Sequence, residues 1–417
     1  MTGRQQIQPC CRTKCRHGIT SVRRVHIVRS LAILAVITWS DVSFGAPFSQ
    51  DNLVVVRIGD TGVTGAGLTT PVFLDEYTRT GGLPVQSIPL PIGANGANAA
   101  LTLTNRAAVG NGSSANGLGE GGLTRSVDGQ YLTVAGYDAA PGATRDGAPR
   151  TIARIDGAGQ IDTTTTLAGS TYLAIRSVVT DDGSRFWATG NQANVQYTAL
   201  GAQGTSSSVW NFSGGGGLNN LNNVNIFDGQ LYITSAGGNT STQGLDKMGV
   251  GLPVPPPLVE GQQVLTPLAP GRTQFAFVLL TKPGDLSLFN GLNTAYIADS
   301  VNGLLKYTTA NGSNWTFQYG SKFGGTDGFL GVTGEYVGSL LSLFGTTANV
   351  TNNSLVSVTD TGSGFTFDLL ASAGPNQAFA GVALAPVPAP AAIWLFGSGL
   401  VGVIGFLRRR ADVSAAP

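Results

Sequence analysis

Carboxylates are what this chain has left for acid–base chemistry along most of its length. All three cysteines (Cys10, Cys11, Cys15) and both histidines (His17, His26) precede the first hydrophobic run at Leu31. If that leader is removed, Ser-His-Asp and Cys-His mechanisms go with it, together with disulfides and any Cys or His ligand for zinc, copper or haem. Cys-Cys-x-x-x-Cys followed by His17 has the residue types of a metal site, but it sits on a leader rather than in a packed body. Among the acids, Asp181-Asp182 falls at a turn, where Asp bonds its own backbone. Asp75-Glu76 follows a strand and is expected to face solvent. Neighbours on a strand point to opposite sides, so neither pair alone makes the two-carboxylate site that glycoside cleavage needs. Asp128, Asp181, Asp182 and Asp228 are oxygen ligands that suit Ca²⁺, yet no Asp-x-Asp-x-Asp-Gly loop occurs, and structural Ca²⁺ is a minor expectation. Gly59-Asp-Thr-Gly-Val-Thr-Gly-Ala-Gly67 lacks the Lys and the helix of a phosphate loop. These residues assign no catalytic, cofactor or metal site.

The elements that would carry such residues are hairpins. Thr124–Gly136, Ser177–Gly190, Val224–Gly237 and, more weakly, Ser287–Asp299 each read as strand, Asp-Gly or Asn-Gly turn, strand. Their turn glycines, Gly129, Gly183, Gly229 and Gly291, are 54, 46 and 62 residues apart. A period near fifty points to radially repeated four-stranded sheets, so the fold class is all-β, a β-propeller. Dividing residues 46–386 by roughly 50 favours seven blades, with six the alternative. A β-solenoid would show shorter and stricter repeats. Asp51–Ile58 is an early strand. Ser354–Val358 and Gly364–Asp368 belong to the last blade, and an N-terminal strand is expected to close the ring. Gly93–Gly119, Gly201–Asn223 and the stiff Gly251–Pro257 read as loops. Tyr131, Trp187, Tyr232 and Tyr296 recur after the turns and are expected to pack between blades, with any exposed ring free to stack on a sugar.

Composition agrees with short strands and tight turns. The chain has 417 residues, 60 of them Gly, with 42% hydrophobic and only 11% charged. That leaves enough apolar surface for a core and argues against wholesale disorder. The formal net charge is +1, but the ends carry most of the excess Arg and Lys. The middle is left with about seven negative charges, the wrong sign for a nucleic-acid partner.

Both ends look like addresses. Residues 1–45 have a basic leader and the short apolar run Leu31–Trp39, too short to span a bilayer comfortably, and small residues at Ser43 and Gly45 place a cut before Ala46. This is a secretory signal peptide, entering the Sec machinery. Arg23-Arg24 is weak evidence for twin-arginine export, and the length of the basic stretch suggests a true start at Val25 or Val28. No cysteine follows the run, which argues against a lipoprotein anchor. At the other end, residues 387–417 hold Val387-Pro388-Ala389-Pro390, seventeen mostly apolar residues from Ala391 to Leu407, and Arg408-Arg409-Arg410. That is a transmembrane helix at its lower length limit with a cytoplasmic basic stop.

The spelling Val-Pro-x-Pro-Ala-Ala-Ile-Trp-Leu-Phe-Gly-Ser-Gly, with Trp394 inside it, resembles the PEP-CTERM sorting signal of Gram-negative bacteria. The resemblance covers residues 387–410, and Ala389 stands where the name-giving Glu would be. It implies that an exosortase, an integral-membrane enzyme, cuts near Pro388 and Pro390 and delivers the body to the cell surface or to the exopolysaccharide matrix of a biofilm. The body itself, in segments such as Phe73–Tyr77 and Ala135–Gly142, resembles Gly-rich propeller-like surface proteins that carry this tail, a likeness with no catalytic motif attached. The expectation is a structural or binding role linked to exopolysaccharide. The alternative is a carboxylate- or Ca²⁺-dependent hydrolase or lyase acting on it. The lining of the central channel discriminates: three or more clustered acids favour the enzyme, and Ser, Thr and apolar groups favour binding.

Overall fold

The computed structural model describes residues 46–60, 67–106, 118–192, 194–210, 220–237, 243–256, 265–285, 287–350 and 352–387. Among them every regular element is a strand, and none is a helix. They build a six-bladed β-propeller of four-stranded antiparallel sheets.

The first blade is assembled from both ends of the body. β1 (Leu53–Ile58) pairs on one side with β3 (Val72–Tyr77), which continues to β4 (Gln86–Pro89). On its other side it pairs with β26 (Ala378–Leu384), in register Leu53 to Leu384 and Val54 to Ala383. The ring is thus closed by pairing the two ends of the body, but the N-terminal strand does not join the final blade as expected. The last strand, β26, becomes the inner strand of blade 1, and blade 6 is complete without β1. Blade 2 holds β6 (Thr124–Arg125), β7 (Tyr131–Tyr137), β8 (Arg150–Asp156) and β9 (Ile161–Leu167). Blade 3 holds β10 (Ala174–Val179), β11 (Arg185–Asn191), β12 (Gln196–Ala199) and β13 (Ser207–Ser208). In blade 4 come β14 (Leu221–Phe227), β15 (Gln230–Ser235), β16 (Gly244–Met248) and β17 (Leu265–Pro270). Blade 5 has β18 (Gln274–Leu280), β19 (Thr294–Asp299), β20 (Gly303–Thr309) and β21 (Trp315–Ser321). Blade 6 has β22 (Phe329–Val337), β23 (Leu340–Thr347), β24 (Ser354–Asp360) and β25 (Phe365–Ser372).

Seven blades are therefore replaced by six. Dividing by fifty overcounts because long connections consume residues without adding a blade. After β4 ends at Pro89, blade 2 does not begin until Thr124. In that interval β5 (Leu103–Thr104) pairs only with β2 (Thr69–Thr70). Of the expected loop Gly93–Gly119, residues 93–97 are exposed, but the part around β5 is not a surface loop, since Leu101, Leu103 and Thr104 are fully buried. Likewise the Gly- and Ser-rich Gly201–Asn223 contributes β13 and the start of β14.

Three of the four expected hairpins form, β6–β7, β10–β11 and β14–β15, with Gly129, Gly183 and Gly229 at positive φ. The fourth does not. β19 pairs with β18, across the connection 281–293 that contains Asn290 and Gly291. The hairpin that sequence reading missed is β22–β23, turned by Gly338 and Ser339 with Gly338 at φ 62°. Ser354–Val358 and Gly364–Asp368 fall in blade 6, within β24 and at β25.

The core lies between blades. Trp187 packs with Val179, Val224 and Ile233 between blades 3 and 4. Tyr232 packs with Phe277 between blades 4 and 5, and Tyr296 with Phe329 between blades 5 and 6. Tyr131 is only half-buried and lies under the Arg154 guanidinium, 4.9 Å from its ring centroid. The expected signal peptide, with its signal helix, and the expected transmembrane helix in the tail beyond Val387 lie outside the described residues. Among the described residues no helix is long and apolar enough to cross a membrane.

Candidate functional site

The first strands of the blades line a central channel whose two ends differ. At the end where these strands finish, the channel opens into a cavity of about 360 Å³. Its wall includes Arg125 and Ser126 from blade 2, Asn225, Phe227 and Asp228 from blade 4, and Thr333 from blade 6. Phe227 is half-buried, with Tyr232 and Phe277 rings 6.2 and 5.8 Å away, so one aromatic ring is braced at the wall. Burial lowers the Arg125 guanidinium from its ordinary pKa, while Glu335 and Asp128 oppose that shift. Among the described residues Asp228 is the one carboxylate on this wall. The two acids near Arg125 are already engaged. Glu335 accepts from Arg79 at 2.5 Å, and Asp128 accepts from Ser126 Oγ at 2.5 Å and from the Gln130 amide at 3.1 Å.

The opposite end is plugged by Gly119-Glu120-Gly121-Gly122. The Gly122 amide donates to the Arg176 carbonyl on β10, and the Gly381 amide on β26 donates to the Gly121 carbonyl, both at 2.9 Å. Glycine is required there: Gly119 has φ +91°, and a Cβ on it would stand 2.5 Å from the Phe275 ring. Glu120 is 1% exposed. It accepts from the Thr104 amide (2.9 Å), Thr104 Oγ1 (3.1 Å), the Tyr137 hydroxyl (2.6 Å) and Arg145 Nη1 (2.7 Å). Burial, the Glu120 charge and its hydrogen bond together push the Tyr137 hydroxyl well above its usual range. Beside the plug remains a chamber of about 20 Å³ that Arg106, Asn222, Asn223 and Phe275 help to line.

Comparisons with known proteins give a distant likeness to solved structures and nothing about chemistry. No family model matches the chain, and no curated protein matches it. Solved structures do. A putative 6-phosphogluconolactonase from Bacteroides uniformis is 11% identical with a TM-score of 0.40, over 78% of this chain and 83% of that one. A chain of a nidogen/laminin complex is 12% identical with a TM-score of 0.40, over 81% and 99%. YCF48 from Cyanidioschyzon merolae is 11% identical with a TM-score of 0.34, over 78% and 87%. Likeness at this level carries no argument about what the channel binds.

The acids singled out from sequence do not converge. Asp181 pairs with Arg185 at 2.5 Å, and Asp182 caps its own turn through the Ser184 amide at 2.9 Å. Asp75 and Glu76 do not face solvent; they are 2% and 1% exposed. Neighbouring strands and the N-terminal segment cover them and supply partners. Asp75 pairs with Arg57 at 2.6 Å, and Glu76 accepts from the Ser49 amide and Asn52 Nδ2, both at 2.8 Å. Among the described residues no group of three or more Asp, Glu, His or Cys side chains is placed to hold a metal. Of the sorting residues, Val387 is half-buried, and its amide donates to the Gly129 carbonyl at the cavity wall, 2.8 Å away. Pro388, Pro390, Trp394, Arg408, Arg409 and Arg410 lie outside the described residues. Sequence reading missed Arg125 and the buried Arg106, Glu120, Arg145, Arg150 and Arg176. Their signal was rarity: charges standing alone in a chain with few of them.

Proposed function

We propose that this chain is an exported, exosortase-processed surface or matrix protein whose propeller binds a neutral polysaccharide at the open channel mouth. The observation that carries the binding role is the wall itself. Hydroxyl, amide and guanidinium donors stand beside a braced phenyl ring, with a single carboxylate among them. Sugars are held by such mixtures of hydrogen bonds and ring faces. Cleavage by the two-carboxylate route would need a second acid across the cavity from Asp228, about 5–10 Å away.

The ends support the sorting part of the reading. Val387, the last described residue, is fastened to the cavity wall on the face that carries the mouth. Four residues of extended chain span only about 12 Å. A precursor anchored by Ala391–Leu407 would hold its mouth close to the bilayer, and cutting near Pro388 and Pro390 would free it to meet a polymer.

Two experiments test this. Mature protein recovered from culture should bind the exopolysaccharide of the producing cells, and Phe227→Ala or Asn225→Ala should weaken that binding at least tenfold while the protein remains folded. Equal binding by these variants refutes the mouth as the site. Replacing Pro388 and Pro390 with Ala should trap protein in the membrane fraction, and unchanged release refutes exosortase sorting.

A further inference from the structure

At the plugged end of the channel, Arg106 is a buried cation with no ion pair among the described residues. Glu120 is one buried carboxylate, and Arg106, Arg145, Arg150 and Arg176 all lie close enough to feel its field. Three of the four are nearly inaccessible, with Arg106 at 2%, Arg150 at 1% and Arg176 at 1% exposure. Only Arg145 forms an ion pair with Glu120. Arg106 makes do with carbonyls: Nη2 donates to Glu120 O at 2.6 Å and Nη1 to Phe379 O at 3.3 Å. Its Nε is buried without an acceptor. Burial draws the Arg106 guanidinium down to about 10, with Glu120 opposing. Buried cations are ordinarily paired, because leaving one uncompensated costs several kcal/mol.

We propose that the small chamber beside the plug binds one monovalent anion of halide size against the Arg106 guanidinium. Four features of the site favour this occupant. Arg106 lines the chamber and keeps one N–H unspent. Asn223 brings an amide from blade 4 to the same wall. Water could accept from Nε but would leave the Arg106 charge unpaired, whereas an anion pairs with it. The volume of about 20 Å³ admits one water-sized or halide-sized occupant and excludes phosphate or sulfate. Glycine keeps the space open, since a Cβ on Gly122 would stand 3.0 Å from Asn223 Nδ2. The anion would lock the plug to blades 1, 3 and 4, making it part of what holds the channel shut at this end.

The test uses the intact mature protein and bromide or chloride as the probe. Crystals equilibrated in about 0.1 M bromide, near physiological ionic strength, should show an anomalous peak within hydrogen-bond distance of Arg106. At fixed ionic strength, exchanging gluconate for chloride should raise Tm by about 2 °C per tenfold rise in chloride above its Kd. Arg106→Gln should abolish that dependence. If this variant does not fold, the wild-type bromide map and the chloride titration still decide. An empty bromide map at the chamber, or equal Tm in chloride and gluconate, overturns the proposal.

Discussion

Asp246, on the third strand of blade 4, should make the protein less stable as pH rises from acid to neutral. Its side chain is 1% exposed, and Oδ2 has no hydrogen-bond partner. Met248, two residues on along β16 and therefore on the same face, sits in the apolar cluster around Trp187 and Val224. Burial alone raises the Asp246 carboxyl from 3.8 to about 8. Below about pH 4 the carboxyl is protonated in both folded and unfolded chains and costs nothing. Between about pH 4 and 8 the unfolded chain releases the proton while the folded one keeps it, so stability falls by about 1.4 kcal/mol per pH unit. By pH 7 the accumulated loss is about 4 kcal/mol, a large share of a typical folding free energy. Asp246→Asn keeps the shape and cannot ionise. Any cost of burying its amide is the same at every pH. Urea unfolding at pH 5 and pH 7 should therefore show wild type losing about 3 kcal/mol more than the variant over that interval. Parallel pH profiles for the two proteins would refute the reasoning.

Other outcomes follow from the packing between blades. Trp187→Ala empties a fully buried site and strips the 2.6 Å hydrogen bond that Nε1 donates to Pro253 O, so urea titration should register a loss of about 3–5 kcal/mol. At Asp360 burial favours the neutral carboxyl, but Lys306 at 2.6 Å and the hydroxyls of Tyr296 and Tyr319 outweigh it and lower its pKa. Its stabilisation is thus present above the ordinary carboxylate pKa and lost on acidification. Asp360→Asn should cost about 3 kcal/mol at pH 7 by denaturant titration, and the cost should shrink as pH falls below the ordinary carboxylate range toward the lowered folded pKa. Truncation before Ala378 removes β26 and exposes the edge of β1. Size-exclusion chromatography should then show aggregate in place of monomer, and a cooperative monomer would contradict the closure.

Local signals survived the passage from sequence to fold, and non-local ones did not. Asp228-Gly229 was readable because a two-residue turn dictates its own backbone angles, both residues having positive φ. Asp128-Gly129 and Asp182-Gly183 lie in five-residue connections where the glycine alone takes positive φ. The adjacent strands followed from alternation. Asn290-Gly291 carries the same dipeptide without the turn, because the strand that β19 needs is β18, on the far side of the connection. Gly338-Ser339 was overlooked although it also fits a hairpin, since no Asp or Asn marks it. The blade count failed on connection length, which nothing local encodes. Asp75-Glu76 reads as a solvated pair in isolation. In a blade both faces of β3 meet neighbours, so both carboxylates are enclosed and each acquires its own partners.

The channel ends illustrate why the candidate site stayed hidden. Glu120 gathers Thr104, Tyr137 and Arg145, which lie 16, 17 and 25 residues away in the chain. No spacing rule links such residues, because the loop that carries Glu120 must first cross the channel. Yet the plug decides where a ligand can enter. Filling one end with a glycine-lined peptide and a buried carboxylate leaves space at the other, where Arg125, Asn225 and Phe227 meet. Val387, the last described residue, is fastened at that same face through the Gly129 carbonyl. On the proposed reading, an anchor attached beyond Val387 and a polymer at the mouth would compete for this face, so cutting the first would open the second without any change in the propeller.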